Sequence, residues 1–223
     1  MIIIQRYPPL YPISTINICP QIHGDILFDF ILAYCYIATY IGKTQMKKTT
    51  VILSIILGAV LLDQITKGIL LYLITGTLPL AGAAWDVVPV PYLMAHVFDF
   101  FNIVFTWNPG TSFSLFRAMG ESAPMILIIA TGFITGFILY YLCRRAKSYE
   151  VVPLAMIAGG AIGNLIDRIR FGAVIDFLDF HVGGWHWPAF NVADICIVVG
   201  VGLYLLCMYI ARRKCLKSIK DGN

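Results

Sequence analysis

Four long apolar segments restrict the possible fold of this chain more than any other feature. They cover about residues 51–74, 123–142, 151–170 and 192–211, and each approaches the ~20 residues that a helix needs to cross a bilayer. Composition agrees, because 59% of the residues are hydrophobic and only 13% are charged, unlike a soluble globular domain. We therefore predict a polytopic, mainly α-helical protein built on a four-transmembrane-helix bundle. The third segment is Gly-rich, which favours close packing against a neighbouring helix.

The basic residues predict the orientation of this bundle. Eleven of the sixteen Lys and Arg residues precede the first span, separate the second from the third or follow the fourth: Lys43, Lys47, Lys48, Arg144, Arg145, Lys147, Arg212, Arg213, Lys214, Lys217 and Lys220. The positive-inside rule makes this face cytoplasmic, so both ends of the bundle are predicted to be inside and residues 75–122 and 171–191 outside. Because these charges flank spans and no nucleic-acid motif accompanies them, we expect no nucleic-acid partner.

The longer outer connection has a pattern of its own. Asp99 to Trp107 is aromatic and β-branched, which favours a strand, and Asn108-Pro109-Gly110 is typical of a turn. Phe113 to Phe116 is amphipathic and suits the membrane surface. We therefore expect a small β-rich part and a surface amphipathic segment outside the membrane, with the four Trp residues forming an interfacial belt.

Polar residues in three of the spans are predicted to lie at one depth. A rise of 1.5 Å per residue places them ~20 to 28 Å above the cytoplasmic face, near the outer boundary of a ~30 Å hydrocarbon layer. They are Asp63 and Lys67 on the first span, Asn164, Asp167 and Arg168 on the third, and Asp194 on the fourth. This agreement predicts a single polar site at the outer membrane boundary.

Two aspartates stand out from the others. Asp176 and Asp194 each lie where an apolar stretch meets a short polar loop, and neither has a basic residue within helical reach in the sequence. Ionisable groups so close to hydrocarbon are functional candidates. Two carboxylates that share a site can hold one proton between them, as aspartic proteases require. Three further aspartates are interpreted as solvated loop carboxylates or caps: Asp86, Asp99 and Asp179.

Structural interpretations remain open for several polar residues. Asp63 and Lys67 are spaced i, i+4 and could form a self-neutralising pair. Arg168 could be a buried structural clamp. Asn164 and Asn191 could serve for hydrogen bonding between helices.

Two other classes of function also remain open. A metalloprotease would use Asp179, His181 and His186 as ligands with Asp176 as base, although the chain lacks the HExxH spacing on a helix. A transporter would explain ionisable residues inside a membrane, but its polar groups should form a path across the membrane and its halves should be related by a repeat. The polar residues of this chain are instead expected at one depth.

From Met46 onward the chain resembles the lipoprotein signal peptidases (signal peptidase II), which are aspartic proteases of the bacterial inner membrane. The resemblance covers residues 46–215, taken here as the membrane domain, which a basic tail over 212–223 follows. Five motifs in order carry it: Leu62-Asp63-Gln64-Ile65-Thr66-Lys67, Asn108-Pro109-Gly110-Thr111-Ser112-Phe113-Ser114, Gly163-Asn164-Leu165-Ile166-Asp167-Arg168, Val174-Ile175-Asp176-Phe177 and Phe190-Asn191-Val192-Ala193-Asp194.

The resemblance implies a function and a set of site residues. Asp176 and Asp194 would be the catalytic dyad. The pocket would be lined or supported by Asp63, Lys67, Asn108, Gly110, Asn164, Asp167, Arg168 and Asn191. The substrate would be a prolipoprotein cleaved before a diacylglyceryl-modified cysteine, and cyclic peptides of the globomycin type would inhibit. We expect a monomer in contact with membrane lipids, with no metal and no cofactor.

The chain departs from the family pattern in three places. Thr111-Ser112 replaces the pair of alanines that is common before Phe113, and residues 76–96 form a longer segment than is usual. Residues 1–45 precede Met46-Lys47-Lys48, which is typical of a bacterial start followed by a first span. We interpret residues 1–45 as a mis-called start or a weak extra helix, and we expect them to be dispensable.

Overall fold

Four long helices and a small antiparallel sheet make up the described part of the chain. The computed structural model describes residues 48–88, 92–110 and 123–221, all within one compact unit. The helices are α1 (Lys48–Thr75), α2 (Ala84–Val87), α3 (Ala123–Arg144), α4 (Val151–Phe171) and α5 (Val192–Asp221), with a 3₁₀ turn at Ser148–Glu150. The strands are β1 (Tyr92–Phe98), β2 (Phe101–Asn108), β3 (Val174–Val182) and β4 (Trp185–His186).

The predicted transmembrane bundle is confirmed. Helices α1, α3, α4 and α5 are long and apolar enough to cross a membrane. Helix α5 continues beyond the predicted end of its span at residue 211 as far as Asp221, so most of the predicted basic tail is helical. Residues 1–45 and the predicted surface segment Phe113 to Phe116 lie outside the described residues.

Helix α4 lies at the centre of the bundle and packs against α1, α3 and α5. Its glycines permit close approach: a Cβ added at Gly159 would lie 2.7 Å from the Cβ of Ala59 on α1, and one at Gly160 would overlap the carbonyl oxygen of Ala193 on α5. Most large apolar side chains that remain exposed on the four long helices belong to α1, α3 and α5, where lipid would cover them. The expectation of a closely packed third span is therefore confirmed.

The sheet lies at one end of the bundle because β3 follows α4 almost directly. Gly172 follows α4 and caps it: its φ of 74° is left-handed, and its N–H donates to the carbonyl oxygen of Arg168. The strands run in the order β1-β2-β3-β4, all antiparallel. Strand β2 confirms the strand predicted over Asp99 to Trp107.

Strand β3 was not predicted, because residues 171–191 were interpreted as a loop. An alternation of apolar and polar residues identifies a strand only when one face is solvated. The first four residues of β3, Val174 to Phe177, are all buried, so no alternation marks this strand in the sequence.

An apolar cluster joins the sheet to the bundle. Leu71 of α1, Phe105 of β2, Phe171 of α4 and two residues of β3, Ile175 and Phe177, are buried together there. Because every one of these elements contributes to a single packed core, the ends of the strands are fixed relative to the ends of the helices. The polar residues next to this core are therefore held at defined positions.

Candidate active site

Asp176 lies near the start of β3 and is almost completely buried, with 2% of its surface exposed. Two amide groups satisfy its carboxylate. Asn108, the last residue of β2, donates from Nδ2 to Oδ2 at 2.9 Å. Asn191, which directly precedes α5, donates from Nδ2 to Oδ1 at 2.7 Å. The end of one strand and the start of one helix thus converge on this carboxyl group.

Asp194 lies in the first turn of α5 and is bound by the same Asn191. The backbone N–H of Asn191 donates to Oδ2 of Asp194 at 3.2 Å, and the backbone N–H of Asp194 donates to Oδ1 of Asn191 at 2.9 Å. This is the reciprocal arrangement of a capping box. The other oxygen, Oδ1, accepts from Nδ2 of Asn164 on α4 at 2.8 Å. One asparagine therefore contacts both predicted catalytic aspartates.

The environment of Asp176 changes its acidity. Burial raises the pKa of Asp176 to about 7, the negative charge of Asp194 acts in the same direction, and the hydrogen bonds from Asn108 and Asn191 oppose both effects. Near neutral pH this carboxyl group can therefore either hold or release a proton. A group with that property can act as an acid or a base in catalysis.

A buried ion cluster lies beneath the two aspartates. Lys67 Nζ is 2.8 Å from Oδ2 of Asp63 and 2.8 Å from Oδ2 of Asp167, and it donates to Oδ1 of Asn164 at 3.1 Å. All four side chains are buried. The predicted i, i+4 pair of Asp63 and Lys67 is present, and Lys67 also bridges to α4.

The two carboxylates of this cluster hold the backbone on either side of the site. Oδ1 of Asp63 accepts from the N–H of Ala193 at 3.0 Å. Oδ2 of Asp167 accepts from the N–H of Ile175 at 3.3 Å. Ala193 immediately precedes Asp194, and Ile175 immediately precedes Asp176. The cluster thus holds the backbone N–H of the residue before each predicted catalytic aspartate.

Gly110 and Arg168 complete the predicted set. Gly110 has a φ of 86°, and its N–H donates to Oδ1 of Asn108 at 2.9 Å, which leaves the amide nitrogen of Asn108 directed at Asp176. Arg168 Nη1 is 3.4 Å from the carbonyl oxygen of Asn164, and its buried Nε has no hydrogen-bond partner among the described residues. The structure therefore brings all ten predicted site residues into one connected group.

Asp179 is buried, although we interpreted it from the sequence, with Asp86 and Asp99, as a solvated loop carboxylate or cap. Asp86 and Asp99 are exposed, but Asp179 is only 6% exposed. Its carboxylate accepts from Nδ2 of Asn102 at 3.0 Å and from Nδ1 of His186 at 2.9 Å. Although burial acts to raise the pKa of Asp179, these hydrogen bonds hold it below the usual value. The prediction was wrong because β3 was taken for a loop.

Gln64 is a contact of the site that the sequence did not single out. Its Nε2 is 2.9 Å from Oδ1 of Asp167. The residue stands next to Asp63 in the first motif, but neighbours on a helix point about 100° apart, so nothing in the spacing indicated a shared site. Gln64 joins the site because Asp167, on the facing helix α4, lies within hydrogen-bond distance of its amide.

The fold and the site together define the class of this protein. It is a multi-pass membrane protein, and its buried polar site lies where four apolar helices meet a small sheet. The family model for signal peptidase (SPase) II matches residues 55–210, and the chain belongs to this family of peptidases.

Related sequences and structures agree with this assignment. The chain is 40% identical over 179 residues to a lipoprotein signal peptidase of Syntrophus aciditrophicus (strain SB), covering 76% of this chain and 98% of that protein. It is 42% identical over 109 residues to one of Anaplasma phagocytophilum (strain HZ), covering 49% and 69%. A solved bacterial membrane enzyme aligns with a TM-score of 0.53 at 26% identity, covering 70% of this chain and 91% of that one.

Proposed function

We propose that this protein removes the signal peptide from diacylglyceryl-modified prolipoproteins and cleaves before the lipidated cysteine, with Asp176 and Asp194 as an aspartic dyad. Family membership and the names of the related proteins support the substrate class. One observation carries the assignment of the dyad: Asn191 binds both carboxylates, through its side chain to Asp176 and through its backbone to Asp194.

The proposed reaction uses one protonated and one ionised carboxyl group, and the shared proton belongs to the pair. The ionised group takes a proton from a water molecule as that water attacks the scissile carbonyl carbon. The protonated group donates a hydrogen bond to the carbonyl oxygen and then supplies the proton with which the amine leaves. Asn108, Asn164 and Asn191 hold the two carboxyl groups in place throughout.

The proposed location suits such a substrate. A dyad at the sheet end of the bundle lets the diacylglyceryl group stay in the membrane while water arrives from outside. The basic residues at the other end of the bundle support a bacterial inner membrane location, with both ends of the bundle cytoplasmic and the site facing the periplasm. We further propose that the protein acts as a monomer among membrane lipids and that cyclic peptides of the globomycin type occupy the dyad.

Substitution of the dyad tests this proposal. We expect Asp176→Asn and Asp194→Asn each to abolish cleavage of a lipid-modified prolipoprotein by the purified full chain, because an amide cannot take the proton from water. Thermal unfolding should show that both variants fold. Asp86→Asn, which changes an exposed carboxylate on α2, is the matched control and should cleave at the wild-type rate. Substantial turnover by either dyad variant would exclude this assignment.

A metalloprotease is the second candidate, because His186 Nδ1 contacts the buried Asp179. Within residues 48–88, 92–110 and 123–221, however, no group of three His, Cys, Asp or Glu side chains is placed to hold a metal ion. The same cleavage assay with a strong chelator separates the candidates. The dyad proposal requires unchanged activity, whereas loss of activity that zinc restores would favour the metalloprotease.

A further inference from the structure

The side chain of Gln64 connects the ion cluster to the outer end of α4. Its Nε2 lies 2.9 Å from Oδ1 of Asp167, 3.2 Å from Oδ2 of Asp63 and 3.2 Å from the carbonyl oxygen of Gly163. Its Oε1 accepts from Nη1 of Arg170 at 3.2 Å. Acceptors surround one end of the amide and a guanidinium, which can only donate, faces the other. These partners allow only one orientation of the amide.

Charge balance shows what this amide contributes to the cluster. Asp63 and Asp167 are two buried carboxylates, and Lys67 is the only cation that pairs with them among the described residues. Lys67 binds Oδ2 of each, whereas Oδ1 of Asp167 accepts from Gln64. Without Gln64 this buried oxygen would lose its donor, and the two carboxylates would be bridged only by Lys67. An unsatisfied buried charge of this kind is costly.

The position of the dyad depends on those two carboxylates. Asp63 holds the N–H of Ala193 and Asp167 holds the N–H of Ile175, so a shift of either carboxylate moves the peptide unit before a catalytic aspartate. We propose that Gln64 is a positioning residue for the cleavage reaction, which fixes the separation of Asp176 and Asp194 by holding Asp63 and Asp167 together. This inference rests on the proposed function of the dyad.

Arg170 fixes the other end of the amide from outside the cluster. Its Nε donates to the carbonyl oxygen of Leu80 at 2.9 Å and its Nη2 to that of Pro79 at 3.0 Å. The N–H of Gly82 returns a hydrogen bond to the carbonyl oxygen of Arg170 at 3.1 Å. The connection that follows α1 therefore holds the guanidinium, and the guanidinium holds the amide of Gln64 with its nitrogen towards the carboxylates.

The test is the kinetics of Gln64→Met, which keeps the length of the side chain but neither donates nor accepts as the amide does. We expect kcat for a lipid-modified prolipoprotein to fall by about 10- to 100-fold, since small displacements of reacting groups have effects of this size, with KM within about threefold of wild type. The pH profile of kcat should also shift, because the separation of the two carboxyl groups sets their coupled titration.

Thr66→Val is the matched control, because among the described residues the Thr66 hydroxyl donates only to the carbonyl oxygens of Leu62 and Asp63 in its own helix. It should leave kcat and the pH profile unchanged. A merely structural role for Gln64 would lower the yield of folded protein but leave kcat per folded molecule and its pH profile at wild-type values. That result would overturn the proposal.

A second variant decides the question if Gln64→Met does not fold. Arg170→Met releases the amide but leaves the cluster intact, and we expect kcat to fall by about 3- to 10-fold with a shifted pH profile. Wild-type kinetics of this variant would then overturn the proposal. Failure of the dyad assignment is recognised separately, since it appears as turnover by Asp176→Asn or Asp194→Asn and does not depend on the Gln64 variant.

Discussion

At the scale of single residues, Asn191 and Asp194 combine structural and proposed catalytic roles. Asn191 caps α5 and Asp194 completes the capping box, and an interaction of this kind stabilises a helix by about 0.5–2 kcal/mol. Asparagine is therefore the informative replacement for Asp194, because its carbonyl oxygen can still accept from the backbone N–H of Asn191. A loss of activity can then be assigned to the lost carboxylate and not to a frayed helix.

The raised pKa of Asp176 predicts how stability depends on pH. Below about pH 4 Asp176 is protonated in both the folded and the unfolded chain. Between about pH 4 and 7 the unfolded chain releases this proton while the folded chain retains it, so Asp176 lowers the stability of the fold as the pH rises. Above the folded pKa of about 7 the cost is complete, at no more than about 4 kcal/mol.

Because Asp176→Asn removes this titrating group, we expect the melting temperature of the detergent-solubilised variant, taken relative to wild type, to be higher at pH 8 than at pH 4. The wild-type carboxyl group is neutral in acid, so any difference that remains there reflects the amide NH2 group, which cannot accept the hydrogen bond that one carboxyl oxygen takes from Asn108 or Asn191. Thermal unfolding from pH 4 to 8 checks this, with Asp86→Asn as control. A difference that stays constant over this range would contradict the raised pKa.

At the scale of elements, the packing of α4 is governed by glycines that face its neighbours. A Cβ at Gly163 would lie 2.6 Å from Oδ2 of Asp63, and one at Gly160 would overlap the carbonyl oxygen of Ala193. Asp63 belongs to the buried ion cluster, and Ala193 is the residue before Asp194. Close packing of α4 and the geometry of the dyad are therefore coupled through α1 and α5.

We expect Gly160→Ala to destabilise the fold by about 1–3 kcal/mol through overpacking, and to reduce cleavage because it displaces the backbone just before Asp194. Gly202→Ala is the matched control, since a Cβ at this position of α5 meets no atom of the described part of the chain within 4 Å. It should be neutral or slightly stabilising, as alanine favours a helix over glycine. Equal effects of the two substitutions on thermal unfolding and activity would contradict the close contact.

At the scale of the whole molecule, charge and polarity divide the bundle into two ends. Basic residues such as Arg145 and Lys147 lie between α3 and α4, at the end opposite the sheet. The buried ion cluster and the proposed dyad lie at the sheet end. Under the positive-inside rule we expect this division to orient the protein with the sheet outside.

Reporter fusions check this orientation. We expect alkaline phosphatase to be active when fused after Gly184, at the exposed turn between β3 and β4, and inactive when fused after Lys147. A reporter that is active only in the cytoplasm should give the opposite pattern and serves as the control. If phosphatase were active after Lys147 and inactive after Gly184, the proposed periplasmic site would be wrong.

The membrane spans could be predicted from the sequence, and so could ten of the residues that meet in the site, but Gln64 could not. Length and hydropathy decide whether a helix can cross a membrane, and both are properties of a continuous segment, so α1, α3, α4 and α5 were predictable. Helical rise placed Asp63, Asn164 and Asp194 at one depth for the same reason. The position of Asp176 between an apolar stretch and a short polar loop singled it out, and the resemblance to signal peptidase II then supplied Asn108. Both residues lie outside the spans, so helical geometry could not relate them to the others.

The contacts between these residues depend on how the helices and strands pack against one another. The burial of Asp179 depends on the pairing of β3 with β2 and β4, and the role of Gln64 depends on the approach of α4 to α1. The hydrogen bonds that the N–H of Ala193 donates to Asp63 and the N–H of Ile175 donates to Asp167 likewise join segments that are distant in the chain or separated by a turn. Hydrogen bonds act over about 3 Å, and separations that small are fixed by packing between elements and not by the pattern within any one of them.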